Sequence, residues 1–345
     1  MNKSQHIVLG AVKQIAGAFK ITDCGEAHEY LGLHIEHLKQ GIFIHQSAYV
    51  AQLLEKYYTG EVEHASTPAP PHYRHHKLNS LYGKGGDLLP FVNVSVYASA
   101  VGALLYLCNY TRPDICYAVS QLCKYMQSPS VAHWHCVQHL LAYLRGTSDM
   151  GILYARGSSS ECVGFCDASF LSDPDTSRSV SGMCFLSAGG AVHWKSKSQQ
   201  LVTTSTAEAE YVSMAAAGRF GVCVRELCME LHLPVHCIPM HMVEREQQQL
   251  VADGKKPEQL ASGQLIYTDS MSALHTVLNE QSSKHTSHIR AKYHYARERV
   301  QDGTLYYRHV AGDSNVADVF TKSLPRPAFV KYRDMMGVFS KSSLY

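Results

Sequence analysis

Four acidic residues of this chain stand in four different structural settings that their neighbours predict. Asp167 falls inside the apolar β-type run 162–170, where a lone buried carboxylate is costly unless it is paired or bound to a metal. Asp269 ends a short apolar strand, at the carboxyl end where α/β sheets commonly bind ligands. Asp318 lies in the first turns of a short helix that follows a Gly-Asp-Ser-Asn turn. With Glu210 near the start of a long helix, this order favours a two-metal nuclease.

The start of that long helix offers two acidic residues with different predicted roles. Ser205 and Glu208 have the S-x-x-E spacing of a capping box, so Glu208 already has a structural role. Glu210 points elsewhere and precedes the apolar positions of the helix, which makes it the candidate for a carboxylate that faces a site. Any single member of the 29 Asp and Glu residues is more often an ordinary surface acid, but four in matched settings favour one shared site.

Short motifs follow one another in order along most of the chain. They are YLGLHIE (30–36), GIFIHQSAYVAQLLEKY (41–57), STP (66–68), VGALLYL (101–107), TRPDICYAVSQL (111–122), AYLRGT (142–147), DTSRSVSG (175–182), HWKSKSQQLV (193–202), STAEAEYVS (205–213), YTDSMSA (267–273) and VADVFTKSLP (316–325). This series resembles the C-terminal part of a copia-type LTR-retrotransposon Pol polyprotein, which ends in its RNase H domain. One such motif alone would be weak evidence, whereas the ordered series is very specific.

The resemblance implies an α/β fold of the mixed α+β kind, with an RNase H-like mixed sheet flanked by helices. A helical connection region and a small hairpin-and-helix remnant of reverse transcriptase precede this sheet. The implied divisions are a palm and thumb remnant (1–60), a Pro- and His-rich linker (61–95), the connection region (96–150), the RNase H domain (151–335) and a tail (336–345). An insertion at about 236–263 is longer than the family pattern leads us to expect, and its Glu, Gln and Lys content predicts an exposed segment.

The resemblance also implies a chemistry, the hydrolysis of the RNA strand of an RNA–DNA hybrid. The cofactor would be two Mg²⁺ ions roughly 4 Å apart, with Mn²⁺ as a substitute, because such hard cations prefer carboxylate oxygens. Asp167 would bridge the ions, Glu210 and Asp269 would bind one of them and Asp318 the other. His309 matches a mobile histidine near the last aspartate of such domains, although a structural or merely exposed role fits one of 21 histidines as well.

A second interpretation of the resemblance stays open at this point. The sequence contains no Asp-Asp pair, so it lacks the Tyr-x-Asp-Asp turn that binds the catalytic metals of reverse transcriptases, and no polymerase activity is expected. The absent palm and fingers of a longer polyprotein are then an expected partner. Without them, the chain could instead be a catalytically inactive remnant that at most binds nucleic acid.

Basic residues supply the candidates for contact with the hybrid. Residues 284–333 contain ten Lys or Arg against four Asp or Glu, and such a stretch binds phosphates in a salt-dependent way. A second candidate region surrounds Trp194. The predicted nucleic-acid-binding residues are Lys195, Lys197, Arg290, Lys292 and Arg297. For each of them taken alone, a solvated surface role is at least as common.

Composition and cysteine usage limit the classes of protein to which this chain can belong. No stretch approaches the ~18–20 apolar residues of a membrane span, and the N-terminus lacks a signal-peptide pattern. We therefore expect an intracellular chain, cytoplasmic or nuclear, without membrane contact. The 11 cysteines form neither a paired framework nor a C-x-x-C zinc pattern, which predicts reduced thiols packed as small hydrophobic side chains.

Overall fold

The computed structural model describes residues 3–22, 24–70, 93–173, 175–231, 263–278 and 291–345. Its α-helices in these ranges are α1 (Lys3–Ala18), α2 (Ser47–Tyr57), α3 (Val94–Tyr110), α4 (Cys116–Cys123), α5 (Val131–Arg145), α6 (Thr206–Glu230), α7 (Met271–Leu278), α8 (Ala291–Gln301) and α9 (Arg326–Met335). Its strands are β1 (Glu29–Tyr30), β2 (Leu33–Leu38), β3 (Gly41–His45), β4 (Met150–Ala155), β5 (Val163–Ser169), β6 (Val180–Ser187), β7 (Gly190–Ser198), β8 (Gln264–Thr268), β9 (Leu305–His309) and β10 (Val338–Ser340).

The strands form two five-stranded sheets. The first has the order β1-β2-β3-β4-β10 and is antiparallel throughout. The second has the order β7-β6-β5-β8-β9, in which β5, β6 and β7 are antiparallel neighbours while β8 and β9 run parallel to β5. This mixed sheet with helices on both faces confirms the predicted fold class.

The first sheet joins distant parts of the chain. The β2–β3 hairpin lies within residues 1–60, the division for which a small hairpin was expected, and β3 pairs with β4, which is more than a hundred residues further on. A side chain at Gly41 could not be accommodated, because its Cβ would lie 2.0 Å from the carbonyl oxygen of Tyr154. The boundary predicted at residue 151 falls inside β4. The residues predicted as a tail form β10 and a 3₁₀ turn, and the side chain of Gln40 donates to the carbonyl of Leu344 over 2.6 Å.

Two hydrophobic cores lie on opposite faces of the second sheet. One contains Phe185 and Ile266 and packs against α6, α7 and α8. The other contains Cys184 and Ala191 and packs against the helical region α2–α5, the segment 316–320 and α9. The second sheet is therefore packed against helices on both faces.

The predicted connection region is helical, with one local difference. The helix expected from Pro113 begins as a 3₁₀ turn, Pro113–Ile115, before α4 starts. Immediately before this turn, the guanidinium of Arg112 is fully buried and donates to both carboxylate oxygens of Asp114 over 2.8–2.9 Å. It also donates to the carbonyl and the hydroxyl of Thr147 over 2.8 Å, and the hydroxyl of Tyr143 donates to Asp114 over 2.7 Å. This network fastens α5 to the start of α4.

Other predictions concern the linker, the insertion, the cysteines and the membrane. Residues 71–92 of the linker and 236–262 of the insertion lie outside the described residues. The cysteines of the described ranges are free thiols, and Cys108, Cys166 and Cys184 are buried in the two cores. Among the helices that the structure describes, none is both long and apolar enough to cross a membrane.

Candidate metal centre

Three of the four predicted acids meet at one end of the second sheet. Asp167 is near the end of β5 and only 4% exposed, Glu210 lies in the second turn of α6, and Asp269 directly follows β8. One carboxylate oxygen of each lies within 4.8 Å of the others. Because β5 and β8 are parallel neighbours, their carboxyl ends reach the same end of the sheet.

Asp318 reaches the same centre from the opposite face of the sheet. It lies in the 3₁₀ helix Val316–Phe320, where the sequence predicted an α-helix, and its carboxyl group shares a hydrogen bond with Asp167. This helix packs directly on β6 at Gly182, where a Cβ would lie 2.7–2.8 Å from atoms of Thr321, Ala317 and Phe320. The absence of a side chain at Gly182 thus allows the segment with Asp318 to approach the sheet.

Neutral side chains hold these carboxylates in place. The hydroxyl of Thr321 donates to Oδ2 of Asp167, and the hydroxyl of Ser213 donates to the backbone carbonyl of Asp167 over 2.7 Å. The amide of Asn315 donates to the carbonyl of Cys166 over 3.0 Å and to Oδ1 of Asp269 over 3.3 Å. These orienting residues were not predicted, although Asn315 and Thr321 stand three positions before and after Asp318.

Lys322 brings the nearest positive charge to the cluster. Its Nζ lies 2.9 Å from Oδ1 of Asp318, and the side chain of Lys322 is 46% exposed. The pKa of this lysine is raised, because the attraction of Asp318, Asp167 and Asp269 outweighs the effect of its own burial. One ammonium group therefore faces four carboxyl groups, and the cluster keeps an excess of negative charge.

The pKa shifts reflect that excess. Burial, followed by the charges of Asp167 and Asp269, raises the pKa of Glu210 to about 10. Burial and Asp167 raise the pKa of Asp318 to about 7 and also raise that of Asp269. In addition, Oε2 of Glu210 is buried without a hydrogen-bond partner. A set of carboxylate oxygens that includes an unpartnered one fits a hard divalent cation such as Mg²⁺, which would neutralise the excess charge.

The predicted structural role of Glu208 is confirmed, with one change of hydrogen-bond partner. The side chain of Ser205 accepts a hydrogen bond from the backbone N–H of Glu208 over 3.2 Å, as in a capping box. The carboxylate of Glu208 accepts from the backbone and hydroxyl of Thr204 over 2.7 and 2.9 Å, one residue before the expected partner. It is therefore occupied at the helix start, while Glu210 faces the cluster.

Three curated relatives align with nearly all of the chain. The retrovirus-related Pol polyprotein from transposon TNT 1-94 of Nicotiana tabacum is 29% identical over 344 residues, which are 99% of this chain and 24% of the relative. Those from transposons RE2 and RE1 of Arabidopsis thaliana are 29% and 30% identical over 320 residues, which are 93% of this chain and 20% of each relative. The chain belongs to the retrovirus-related Pol polyproteins of transposons.

This Pol segment spans about a quarter to a fifth of the length of those relatives. No protein-family model matches it. No solved structure matches it significantly.

His309 ends strand β9 of the Pol segment. Its side chain is exposed, and its Cα pairs with that of Thr268, the residue before Asp269. The histidine thus stands at the same end of the sheet as the carboxylates, on the strand beyond β8. Its catalytic role stays a prediction.

The predicted nucleic-acid-binding residues fall into two groups. Lys195 and Lys197 are exposed on β7, while Trp194, the residue before Lys195, faces the other way and donates to the carbonyl of Cys108 over 2.9 Å. Arg297 of α8 is half-buried and donates to the carbonyl of Thr276 over 2.8 Å. Arg290 and the side chain of Lys292 lie outside the described residues. The contact with nucleic acid stays a prediction for all five.

Proposed function

We propose that this Pol segment is an RNase H-type endonuclease that hydrolyses the RNA strand of RNA–DNA hybrids. One observation carries the proposal: four carboxyl groups from β5, α6, the end of β8 and the 316–320 helix converge on one point with an excess of negative charge. Such crowding costs stability in the metal-free protein, because like charges at close range disfavour one another. A site that binds divalent cations explains why the fold tolerates it.

The metal ligands of this proposal are Asp167, Glu210, Asp269 and Asp318. Together these four carboxylates would hold the two ions. When bound, the two Mg²⁺ ions, or Mn²⁺ in their place, lower the pKa of an attacking water and stabilise negative charge at the reacting phosphate. Carboxylate ligands suit these ions because both prefer oxygen.

The chain's own side chains prepare the site before substrate arrives. Thr321 and Asn315 donate to Asp167 and Asp269 and so fix which carboxylate oxygens remain free to face an ion. The ammonium group of Lys322 holds Asp318 and offers a positive charge at the rim, where it can meet a phosphate. In this proposal His309, at the neighbouring strand end, donates a proton to the oxygen that leaves phosphorus when the attacking water forms its bond.

The proposed substrate is an RNA–DNA hybrid, with Lys195, Lys197, Arg290, Lys292 and Arg297 as contacts to its phosphates. The proposed protein partner is the polymerase part of a longer polyprotein, the palm and fingers that this sequence lacks. The relatives are Pol polyproteins, which supports an enzymatic domain in this part of the chain.

The test is Mg²⁺-dependent cleavage of an end-labelled RNA–DNA hybrid by the purified chain. Asp269→Asn removes one ligand charge and keeps the shape, and we expect it to reduce the rate by about 100-fold or more, because metal ions contribute several kcal/mol to such reactions. Asp313→Asn is the matched control. Its side chain is 81% exposed and it is five residues from Asp318, so it removes the same charge without touching the cluster.

Folding of each variant is checked by circular dichroism before activity is compared. A folded wild-type chain that leaves the hybrid intact in Mg²⁺ and in Mn²⁺ would favour the inactive remnant. Equal rates for wild type and Asp269→Asn would assign any cleavage to a contaminating nuclease.

A further inference from the structure

A cavity of about 400 Å³ opens between β7 and the middle of α6. It lies on the face of the second sheet that α6 covers, because Lys195 pairs across the sheet with Met183, a member of the core beneath α6. The residues that matter for its chemistry are Lys195, Lys197, Ser198, Gln199, Arg219 and Phe220. The metal ligands are not part of its wall.

The wall carries positive charge without compensation. Lys195 and Lys197 are two positions apart on β7, so both side chains project from the same face, and Arg219 stands opposite on α6. All three are exposed. No Asp or Glu is among the described residues that line the cavity. Three cations around one opening without an acid favour an anionic ligand.

Beneath the cations, two polar atoms have no partner. Gln199 is only 4% exposed, and its Nε2 donates to the hydroxyl of Ser181 and to the carbonyl of Ala209, each over 2.9 Å. Its Oε1 has no hydrogen-bond partner, and neither does Oγ of Ser198. Turning the amide of Gln199 over would set two oxygens against each other at Ala209, so Oε1 is the atom that remains unpartnered. Of these two atoms, Oε1 of Gln199 is on the side chain that follows Lys195 and Lys197 at the same two-residue spacing, so it can accept a hydrogen bond from a ligand that those cations attract.

A pair of stacked rings completes the wall. The rings of His193 and Phe220 lie with their centroids 3.4 Å apart and their planes 14° from parallel. Burial, followed by the charge of Lys195, lowers the pKa of His193 to about 4, so the imidazole is neutral at pH 7. It contributes a flat, uncharged surface of the kind that packs against a sugar or a base.

We propose that this cavity binds one phosphodiester-linked nucleotide of a nucleic acid strand. Lys195, Lys197 and Arg219 meet the phosphate, and Oε1 of Gln199 accepts a hydrogen bond from a ribose hydroxyl or a base N–H group. The strand is the substrate of the nuclease, a part of the inference that rests on the proposed function. The chemistry of the ligand is shared by RNA and DNA, and the experiment separates these two sources.

The location of the cavity fits a strand that continues to the carboxylates. Lys197 pairs with Ser181, whose neighbour Gly182 pairs with Asp167, so the backbones of Lys197 and Asp167 are about 10 Å apart, two strand spacings. Gln199 also bonds to Ala209, the residue before Glu210. A nucleotide in the cavity would therefore lie one or two phosphates from the reacting one.

Binding is measured by fluorescence anisotropy in EDTA, with labelled single-stranded RNA, single-stranded DNA and RNA–DNA hybrid of one sequence. We expect Lys197→Gln and Arg219→Gln each to weaken binding severalfold. Each should also reduce the slope of log affinity against log salt concentration by roughly 0.7–0.9, the contribution of one phosphate contact. Lys39→Gln is the matched control, because Lys39 is exposed in the turn between β2 and β3 on the other sheet.

The strands identify the source of the ligand. If the variants lose affinity only for the RNA and the hybrid, the cavity binds the RNA strand. If they lose affinity only for the DNA and the hybrid, it binds the DNA strand. Wild-type affinity and salt slope in both variants, with all three ligands, would overturn the proposal. Because the assay contains no metal ion and involves no cleavage, failure of the nuclease proposal leaves this result unaffected.

Discussion

Two buried groups of charged side chains differ in how their charges are balanced. Arg112 and Asp114 are both almost completely buried and satisfy each other, with Thr147 and Tyr143 taking up the remaining hydrogen bonds. Burial opposes ionisation of Asp114, but Arg112 holds the pKa of that carboxyl below its usual value. At the end of the second sheet, burial and neighbouring carboxylates instead raise the pKa of Glu210, Asp269 and Asp318.

The difference separates a structural role from a functional one. A buried ion pair whose charges and hydrogen bonds are balanced has no free group that could bind a ligand. Breaking such a pair therefore only lowers the stability of the fold. A cluster with excess negative charge has a cost in the free protein that a cation can remove. The comparison therefore predicts that variants of the two groups respond differently to metal, to pH and to loss of a partner.

The largest expected effect comes from breaking the balanced pair. Arg112→Met should lower the free energy of unfolding by about 3–5 kcal/mol, because it leaves Asp114 buried without its cation. Urea unfolding of the metal-free protein measures this. The double variant Arg112→Met with Asp114→Leu is the control and should be less destabilised than the single one. A single variant as stable as wild type would show that the pair contributes nothing.

Mg²⁺ should stabilise the folded chain only by binding to the carboxylate cluster around Asp167. With Mg²⁺ at 100 times its dissociation constant, the folded state gains about 2.7 kcal/mol, which thermal unfolding with and without Mg²⁺ detects as a higher Tm. Asp269→Asn should lose this gain and Asp313→Asn should keep it. An equal rise in Tm for both variants would place the ion elsewhere.

Gly182 tests how closely Asp318 must approach the sheet. In Gly182→Ala the new methyl group would meet Thr321, Ala317 and Phe320 at less than 3 Å, so we expect a loss of about 1–3 kcal/mol in stability. Cleavage should fall by about 10- to 100-fold as Asp318 shifts. Gly102→Ala in α3 is the control, since nothing lies within 4 Å of its Cβ, and it should stabilise slightly. Full activity in Gly182→Ala would mean that the segment tolerates displacement.

The remaining expected effect is a pH dependence. The pKa of Glu210 is raised to about 10 in the folded chain from an ordinary value of 4.5, so between pH 7 and 9 the folded state holds one proton more than the unfolded state. Stability should therefore fall as pH rises through this window, by about 1.4 kcal/mol for each pH unit relative to Glu210→Gln. Asp114 adds nothing there, because its lowered pKa leaves it ionised in both states. Urea unfolding in EDTA at pH 7, 8 and 9 measures the difference, and parallel curves for wild type and variant would contradict it.

Much of the site could be predicted because its elements are local. The apolar run around Asp167, the strand before Asp269 and the Ser205 cap of α6 each depend on residues within a few positions of one another, and all three are confirmed. The meeting of Asp167 and Asp269 also requires β5 and β8 to pair as parallel neighbours, which no local pattern shows.

The remainder depends on contacts between distant segments. Neither the pairing of β4 with β3 and β10 nor the hydrogen bond from Thr321 to Asp167 has a local signal, because each depends on how separate elements pack. The short 3₁₀ helix that carries Asp318 has the same origin: it is fitted against Gly182, 136 positions earlier. The unpartnered oxygen of Gln199 likewise becomes visible only once β7 and α6 lie side by side.

The last strand of the molecule has a consequence for the order in which the chain folds. β10 closes the first sheet against β4, and Gln40 bonds to Leu344, 304 positions away. Contacts over such separations form slowly, because the chain must lose the entropy of a long loop before these contacts stabilise the fold. A ribosome releases Gln40 long before it releases Leu344. The outer edge of β4 must therefore stay unpaired until residues 338–340 have been made.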